Sequence, residues 1–179
     1  MTVGMKPMTI RKILKIPDPL LKKVSEPVDE VDGALQTLLD DMLETMYEAP
    51  GIGLAAVQIG IMKRIAVIDC AREDAPKDPK ILINPSIVWA SEDLSVYQEG
   101  CLSIPEFYGD VERPAQVRVR HLDREGYEQE FDAEGVLATC VQHEIDHLNG
   151  VLFIDYLSRL KRDRVVKKFS KQAKREESA

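Results

Sequence analysis

The chain is short of several features, and each shortage narrows what it can be. No apolar run in its 179 residues approaches the roughly 18 needed to cross a bilayer, so a membrane partner is not expected. The start, MTVGMKPMTIRK, lacks both the apolar block of a secretory signal and the Arg- and Ser-rich pattern of an organellar presequence; a cytoplasmic protein is the expectation. Only three cysteines occur, Cys70, Cys101 and Cys140. They form no disulfide framework, so reduced thiols are expected and a thiolate is available for metal binding or chemistry. Positive charge is outweighed: 24 Lys and Arg against 31 Asp and Glu give a net charge of -7. That balance argues against nucleic acid as the partner of the whole surface, and DNA is not expected. No internal repeat and no domain-splitting linker is visible. Histidine is scarce too, yet two of the three, His143 and His147, fall in one stretch, CVQHEIDHLNG.

What is present suits one globular domain over residues 1–179, with 44% hydrophobic and 31% charged residues. Residues 1–9 read as a loose start, and the three prolines of ILKIPDPLLKKVSEPV read as extended, punctuated chain. Asp32 is placed to cap a helix in which Leu35, Leu38, Leu39, Met42, Leu43 and Met46 recur at helical spacing, and Pro50-Gly51 stops it. KRIAVIDC reads as a buried strand, residues 71–80 as a loop, and ILINPSIVW as a strand broken at Asn84-Pro85. QVRVRHLD and YEQEFDAE alternate on either side of a turn and predict a hairpin. A second helix is predicted from about Glu134 to Asn149, apolar nearly all round. A last, basic helix runs from about residue 158 to 175. The fold class expected is α+β: mixed or antiparallel sheets around a buried motif helix, with N-terminal and C-terminal helices outside.

The motif helix carries the chemistry. Residues i and i+4 share a helix face, so His143 and His147 can offer nitrogens to one ion, with Glu144 beside them to handle a water proton. Burying these three polar groups on an apolar helix is costly unless something satisfies them together, and a divalent cation does. The extended metalloprotease pattern finds its glycine at Gly150, but Phe153 stands where a third histidine would ligate. No glutamate follows Glu144 until Glu176 in the tail. The third ligand therefore comes from elsewhere. Cys101, in QEGCLSIPE, is the leading candidate and Cys140, one turn before His143, the runner-up. A third block, GIGLAAVQIG, lacks the spacing of a dinucleotide loop; Gln58 is its one polar side chain, readable equally as a buried amide bonded to backbone.

Three blocks, GIGLAAVQ (51–58), EGCLS (99–103) and QHEIDH (142–147), occur in the order and spacing of the signature motifs of peptide deformylases. The chain resembles that family from ILKIPDPLL to LFIDYLSRLKRDR. The resemblance implies hydrolysis of the N-terminal formyl group of formyl-methionyl nascent chains. It implies Cys101, His143 and His147 as metal ligands, Glu144 as general acid and base, and Gln58 with the Leu102 N–H as oxyanion donors. It implies Fe²⁺ as the ion, with Zn²⁺, Ni²⁺ or Co²⁺ as substitutes. Ile52, Leu102, Val136, Thr139 and Cys140 are implied near the methionine side chain, Glu99 at its margin and Gly53 along the peptide backbone. FYGDVERP departs from members with an arginine soon after the second motif.

Residues 159–175 hold nine Lys and Arg against one acid, Asp163. A solvated amphipathic helix anchored by Leu157, Leu160, Val165, Val166 and Phe169 is one reading. The other is contact with ribosomal RNA phosphates, which the resemblance also implies. Two competing functions remain at this level: an H-E-x-x-H peptidase, and a ribosome-binding protein braced by a structural metal.

Overall fold

The structure is a computed structural model that describes residues 9–179. Of the loose start expected over residues 1–9, residues 1–8 lie outside the described residues. Thr9 is tied down, its N–H donating to Asp41 at 2.9 Å.

Helix α1 spans Gly33–Glu48, and Asp32 caps it by accepting the Leu35 N–H at 2.8 Å. Leu35, Leu39, Met42 and Met46 turn inward; Leu38 and Leu43, at the edges of the stripe, are half-buried. Seven strands follow: β1 Gly53–Ala55, β2 Ile65–Ile68, β3 Lys80–Ala90, β4 Leu94–Cys101, β5 Ile104–Pro114, β6 Gln116–Leu122 and β7 Glu128–Glu134. They form a five-stranded sheet in the order β1-β2-β3-β6-β7 and a separate β4-β5 hairpin. Every paired strand is antiparallel. Strand β2 is buried along its whole length, as its apolar run predicts. The β6–β7 pair is the hairpin that the alternation predicts.

Two strands differ from the sequence reading. Strand β3 is not broken at Asn84-Pro85; it bulges, with the register slipping between Ile83 and Ser86 and Asn84 at φ 50°. Asparagine tolerates that conformation, and its amide bonds both the N–H and the carbonyl of Val28, at 2.8 and 2.9 Å. Pro85 then falls where the ladder requires no N–H. Strand β5 was not legible at all. It pairs with β4 up to Gly100↔Tyr108, after which the register jumps to Cys101↔Ile104. The jump leaves Pro105, Glu106 and Phe107 as an outsized bulge, with Glu106 at φ 62°.

Helix α2, Gly135–Leu148, packs on the five-stranded sheet. Val141 and Ile145 enter one core cluster and Leu148 another, as expected of a helix enclosed nearly all round. It ends at Asn149, and Gly150 turns the chain at φ 73°. Helix α3, Arg159–Glu177, is capped by Ser158. Val165 and Phe169 anchor it against Leu21, Phe153 and Ile154, whereas Leu160 and Val166 face solvent.

A side chain at position 150 would meet the Lys22 carbonyl oxygen at 2.5 Å, in a backbone conformation that L residues resist. Gly150→Ala is expected to cost about 2 kcal/mol in a urea titration of the metal-free protein. A cost below about 0.5 kcal/mol would show that the Lys22 loop yields freely.

Candidate active site

Three local devices bring the motif blocks together. The first block forms β1 and then a tight 3-10 turn, Ala56–Ile59, that ends at Gly60 with φ 83°. The turn folds Gln58 back so that its Oε1 accepts the Ala55 N–H at 2.9 Å. The amide is thus backbone-bonded, and its Nε2 still projects forward, donating to Ser103 Oγ at 3.0 Å and lying 3.5 Å from Cys101 Sγ. The second block is the tip of the β4-β5 hairpin, re-aimed by the bulge. The third is α2. An extended segment clips the first two: Leu14 N–H bonds the Gln58 carbonyl at 2.7 Å, and Ile16 N–H the Ser103 carbonyl at 3.1 Å.

At the focus, His147 Nε2 lies 3.3 Å from Cys101 Sγ and 3.2 Å from His143 Nε2. Donors about 2.0–2.3 Å from one tetrahedral ion are separated by roughly 3.3–3.5 Å, so the spacing fits an ion in their midst. Cys101, His143 and His147 are the one group of potential ligands found converging among the described residues. Cys140 does not join it; its Sγ lies 3.7 Å from the Ile52 carbonyl oxygen. The runner-up ligand is thereby set aside.

Electrostatics favour the same reading. His143 Nδ1 donates to Glu99 at 2.9 Å, so Nε2 is the nitrogen turned toward the cluster. Burial disfavours protonated His143, but the Cys101 and Glu99 contacts outweigh it and hold the group well above its ordinary value. His147 is pushed the other way, well below its ordinary value, by burial and by its cationic neighbours His143 and Arg113. Glu144 is buried, and desolvation raises its carboxyl to about 7. Its Oε2 has no hydrogen-bond partner among the described residues. Its Oε1 lies 2.5 Å from where a Cβ on Gly53 would stand, so only glycine leaves room for it there. A buried carboxylate oxygen lacking a partner beside two imidazoles is a group awaiting a water or a substrate.

The site opens into a cleft of about 680 Å³. Ile52, Gly53, Leu102, Val136, Thr139 and Cys140 all line it, together with Gln58 and Glu144. Ile52 and Val136 are half-exposed at its mouth. Glu99 borders the cleft, yet its carboxylate is turned away: both oxygens take the Arg113 guanidinium, at 2.7 and 2.9 Å. At this margin of the cleft the carboxylate stands behind His143, held by Arg113. Arg113 in turn donates to Asp146 at 2.8 Å, and Asp146 accepts the Tyr156 hydroxyl at 2.7 Å. Phe153, which cannot ligate, stacks on the His143 ring at 6.0 Å between centroids.

Arg113, Asp146, Tyr156 and Ser103 went unnoticed in the sequence. Asp146 lies inside the motif itself, whereas nothing local marks Arg113, whose partner Glu99 is fourteen residues away in sequence. Tyr108, in the FYGDVERP stretch, lies with its ring against Gly100 at the cleft rim.

A sulfur and two imidazoles at one focus, with a buried carboxylate at the edge of a cleft, define a metal-dependent hydrolase. The comparisons agree. The sequence profile described as polypeptide deformylase matches residues 10–163. A peptide deformylase of Rhizobium meliloti is 60% identical over 167 residues, covering 93% of this chain and 96% of its own; one of Mesorhizobium japonicum is 62% identical over 93% and 95%. Among solved structures, the peptide deformylase of Ehrlichia chaffeensis in complex with actinonin superposes with a TM-score of 0.88 at 43% identity, covering 92% of this chain and 98% of that one. A plant peptide deformylase gives 0.89 at 32% identity over 98% and 97%. The chain belongs to the polypeptide deformylase family.

Arg113→Met would leave Glu99 buried without its partner. A loss of about 3–5 kcal/mol in stability and a tenfold or greater fall in metal affinity, on the order seen for outer partners of metal ligands, are expected from chemical denaturation and metal titration. Glu144 supplies a pH signature. A carboxyl at 4.5 in the unfolded chain and about 7 in the fold keeps its proton longer when folded. Its contribution is complete below the unfolded value and is lost as pH rises toward 7. Metal-free Glu144→Gln should therefore exceed the metal-free parent in stability at pH 8, by up to the order of 3 kcal/mol, and the gap should close near pH 4. A gap independent of pH would contradict the assignment.

Proposed function

We propose that this enzyme removes the formyl group from the N-terminal formyl-methionine of nascent polypeptides and releases formate. Cys101, His143 and His147 would hold one divalent cation. The mixed sulfur and nitrogen donor set suits Fe²⁺, with Zn²⁺, Ni²⁺ or Co²⁺ able to replace it. When bound, that cation supplies a Lewis acid that polarises the formyl carbonyl and acidifies water.

The side chains do the remainder. Glu144, unpaired and buried beside the cluster, accepts a proton from the attacking water and later returns it to the leaving amine nitrogen. Its raised proton affinity suits both transfers. Gln58 Nε2 and the Leu102 N–H meet the formyl oxygen as it gains charge; loss of one such donor costs roughly 10²–10³ in rate. Glu99 fixes the His143 tautomer, and Arg113 fixes Glu99. Ile52, Leu102, Val136, Thr139 and Cys140 offer an apolar slot for the methionine side chain, and Gly53 lets the peptide backbone approach. The observation that carries this reading is the unpartnered Glu144 carboxylate, sharing one cleft with the three converging donors.

The setting would be the cytoplasm. No helix among the described residues is long and apolar enough to cross a membrane. We propose that α3 docks the enzyme on the ribosome. Its exposed face carries Lys167, Lys168 and Lys171, while Val165 and Phe169 hold the other face to the body.

Glu144→Gln should abolish formate release from a formyl-methionyl peptide, by at least 10³-fold, while one metal per chain is retained. Full turnover in that variant would remove the mechanism. For docking, Lys167→Glu, Lys168→Glu and Lys171→Glu together should weaken co-sedimentation with ribosomes at least tenfold at low salt without changing peptide turnover; unaltered co-sedimentation would exclude α3 as the contact.

A further inference from the structure

Two thiols take no part in the chemistry above. Cys140 lies one turn before Glu144 on α2 and forms part of the cleft wall. Its Sγ is 3.7 Å from the Ile52 carbonyl oxygen and would be 3.0 Å from a Cβ on Gly53. Cys70 follows β2. The preceding residue, Asp69, donates its N–H to that same Ile52 carbonyl at 2.9 Å. The shared acceptor draws the end of β2 against the first turns of α2, and Cys70 packs on the core cluster that contains Cys140. Cys70 is half-buried and lies outside the cleft lining, whereas Cys140 is buried. One thiol of the pair is thus open to a small solute, and the other forms the substrate wall.

We propose that Cys70 and Cys140 are an oxidisable dithiol that closes to a disulfide in the wall of the cleft, with a peroxide as oxidant. Hydrogen peroxide delivers one oxygen to the Cys70 sulfur; the S–O bond forms, the O–O bond breaks and water leaves. The Cys140 sulfur then attacks the Cys70 sulfenic acid. The S–S bond forms, the S–O bond breaks, and the hydroxyl departs with the Cys140 proton as a second water. Two thiols lose two electrons in all, and one peroxide becomes two waters.

Exposure assigns the order of events: Cys70 is half-buried and Cys140 is buried. Interaction with Cys140 holds the Cys70 thiol below its ordinary value against the opposing pull of burial, and Lys80 adds to the effect. The same interaction, with burial, pushes the Cys140 thiol well above its own. The accessible sulfur is therefore the one attacked first and the buried one resolves it.

The effect on substrate rests on the methionine-cleft assignment; the bond itself does not. Drawing the Cys140 sulfur toward Cys70 displaces an atom of the wall. A KM rise of about fivefold, the scale of one misplaced apolar group, is expected with kcat little changed.

The test uses zinc-loaded enzyme, whose ion does not itself react with peroxide. It is treated with a few equivalents of hydrogen peroxide, alkylated and digested without reductant. Mass mapping should find the Cys70 peptide joined to the Cys140 peptide, lighter by two hydrogens, with KM raised; dithiothreitol should reverse both changes. Cys70→Ser, and Cys70→Ala as a second variant, should keep the basal kinetics and show neither the joined peptide nor the reversible KM change. Separate alkylation of Cys70 and Cys140 after peroxide, or a link made to Cys101 instead, would overturn the proposal. A joined enzyme with unchanged KM would overturn its effect on the cleft. If untreated enzyme releases no formate, the deformylase reading fails, and the mass map still decides the dithiol.

Discussion

The structure depends on one demand: three potential metal donors must converge, all within 4.8 Å of one another, inside a largely dry core. Cys101, His143 and His147 meet it because each sits on an element that cannot drift. The two imidazoles are a turn apart on a helix enclosed nearly all round. The sulfur stands at a hairpin tip turned toward that helix by a bulge. The extended residues 14–16 lock this tip to the Gln58 turn. Much of the fold's irregularity, from the bulge at Glu106 to the tight turn at Gly60, lies in the service of that convergence.

A second layer keeps the donors in the right electronic state. Glu99 and Arg113 are both almost wholly buried, at 5% and 4% exposure. An isolated charge at either place would be strongly unfavourable. Together, with Asp146 and Tyr156, they make a closed set in which each polar group faces another. Its output is a single defined hydrogen bond to His143 Nδ1. Glu144 is treated in the opposite way, buried with one oxygen lacking a partner. Neighbouring carboxylates of similar burial thus take different tasks: Glu99 stays ionised against a guanidinium, and Glu144 is left ready to take up a proton.

Much of this was legible in the residues. Helical spacing placed His143, Glu144 and His147 on α2, and Asp32 marked the start of α1 where the structure has it. The alternation of QVRVRHLD and YEQEFDAE gave the β6–β7 hairpin. The choice of Cys101 over Cys140 rested on its flanking residues and on the family likeness, because one turn of helix made Cys140 a geometric rival; the direction of its sulfur toward Ile52 is a tertiary fact. Strand β5 was hidden because FYGDVERP mixes an aromatic pair, a glycine and acids with no clean period, and its pairing is set by the bulge. The salt bridge of Glu99 was hidden for a similar reason. A motif position beside a cleft does not reveal that a partner fourteen residues away in sequence, Arg113, claims its carboxylate. The chain's own pattern likewise could not say that Leu160 and Val166 face outward while Val165 and Phe169 anchor α3.

The central claim is a cation bound by one sulfur and two imidazoles with an open side. X-ray absorption at the metal edge, on enzyme purified without oxygen, tests it most directly. One sulfur neighbour near 2.3 Å and two imidazole nitrogens near 2.0–2.1 Å are expected, with the sulfur signal lost in Cys101→Ser. A shell of oxygen and nitrogen alone, or a sulfur signal that survives that substitution, would contradict the account.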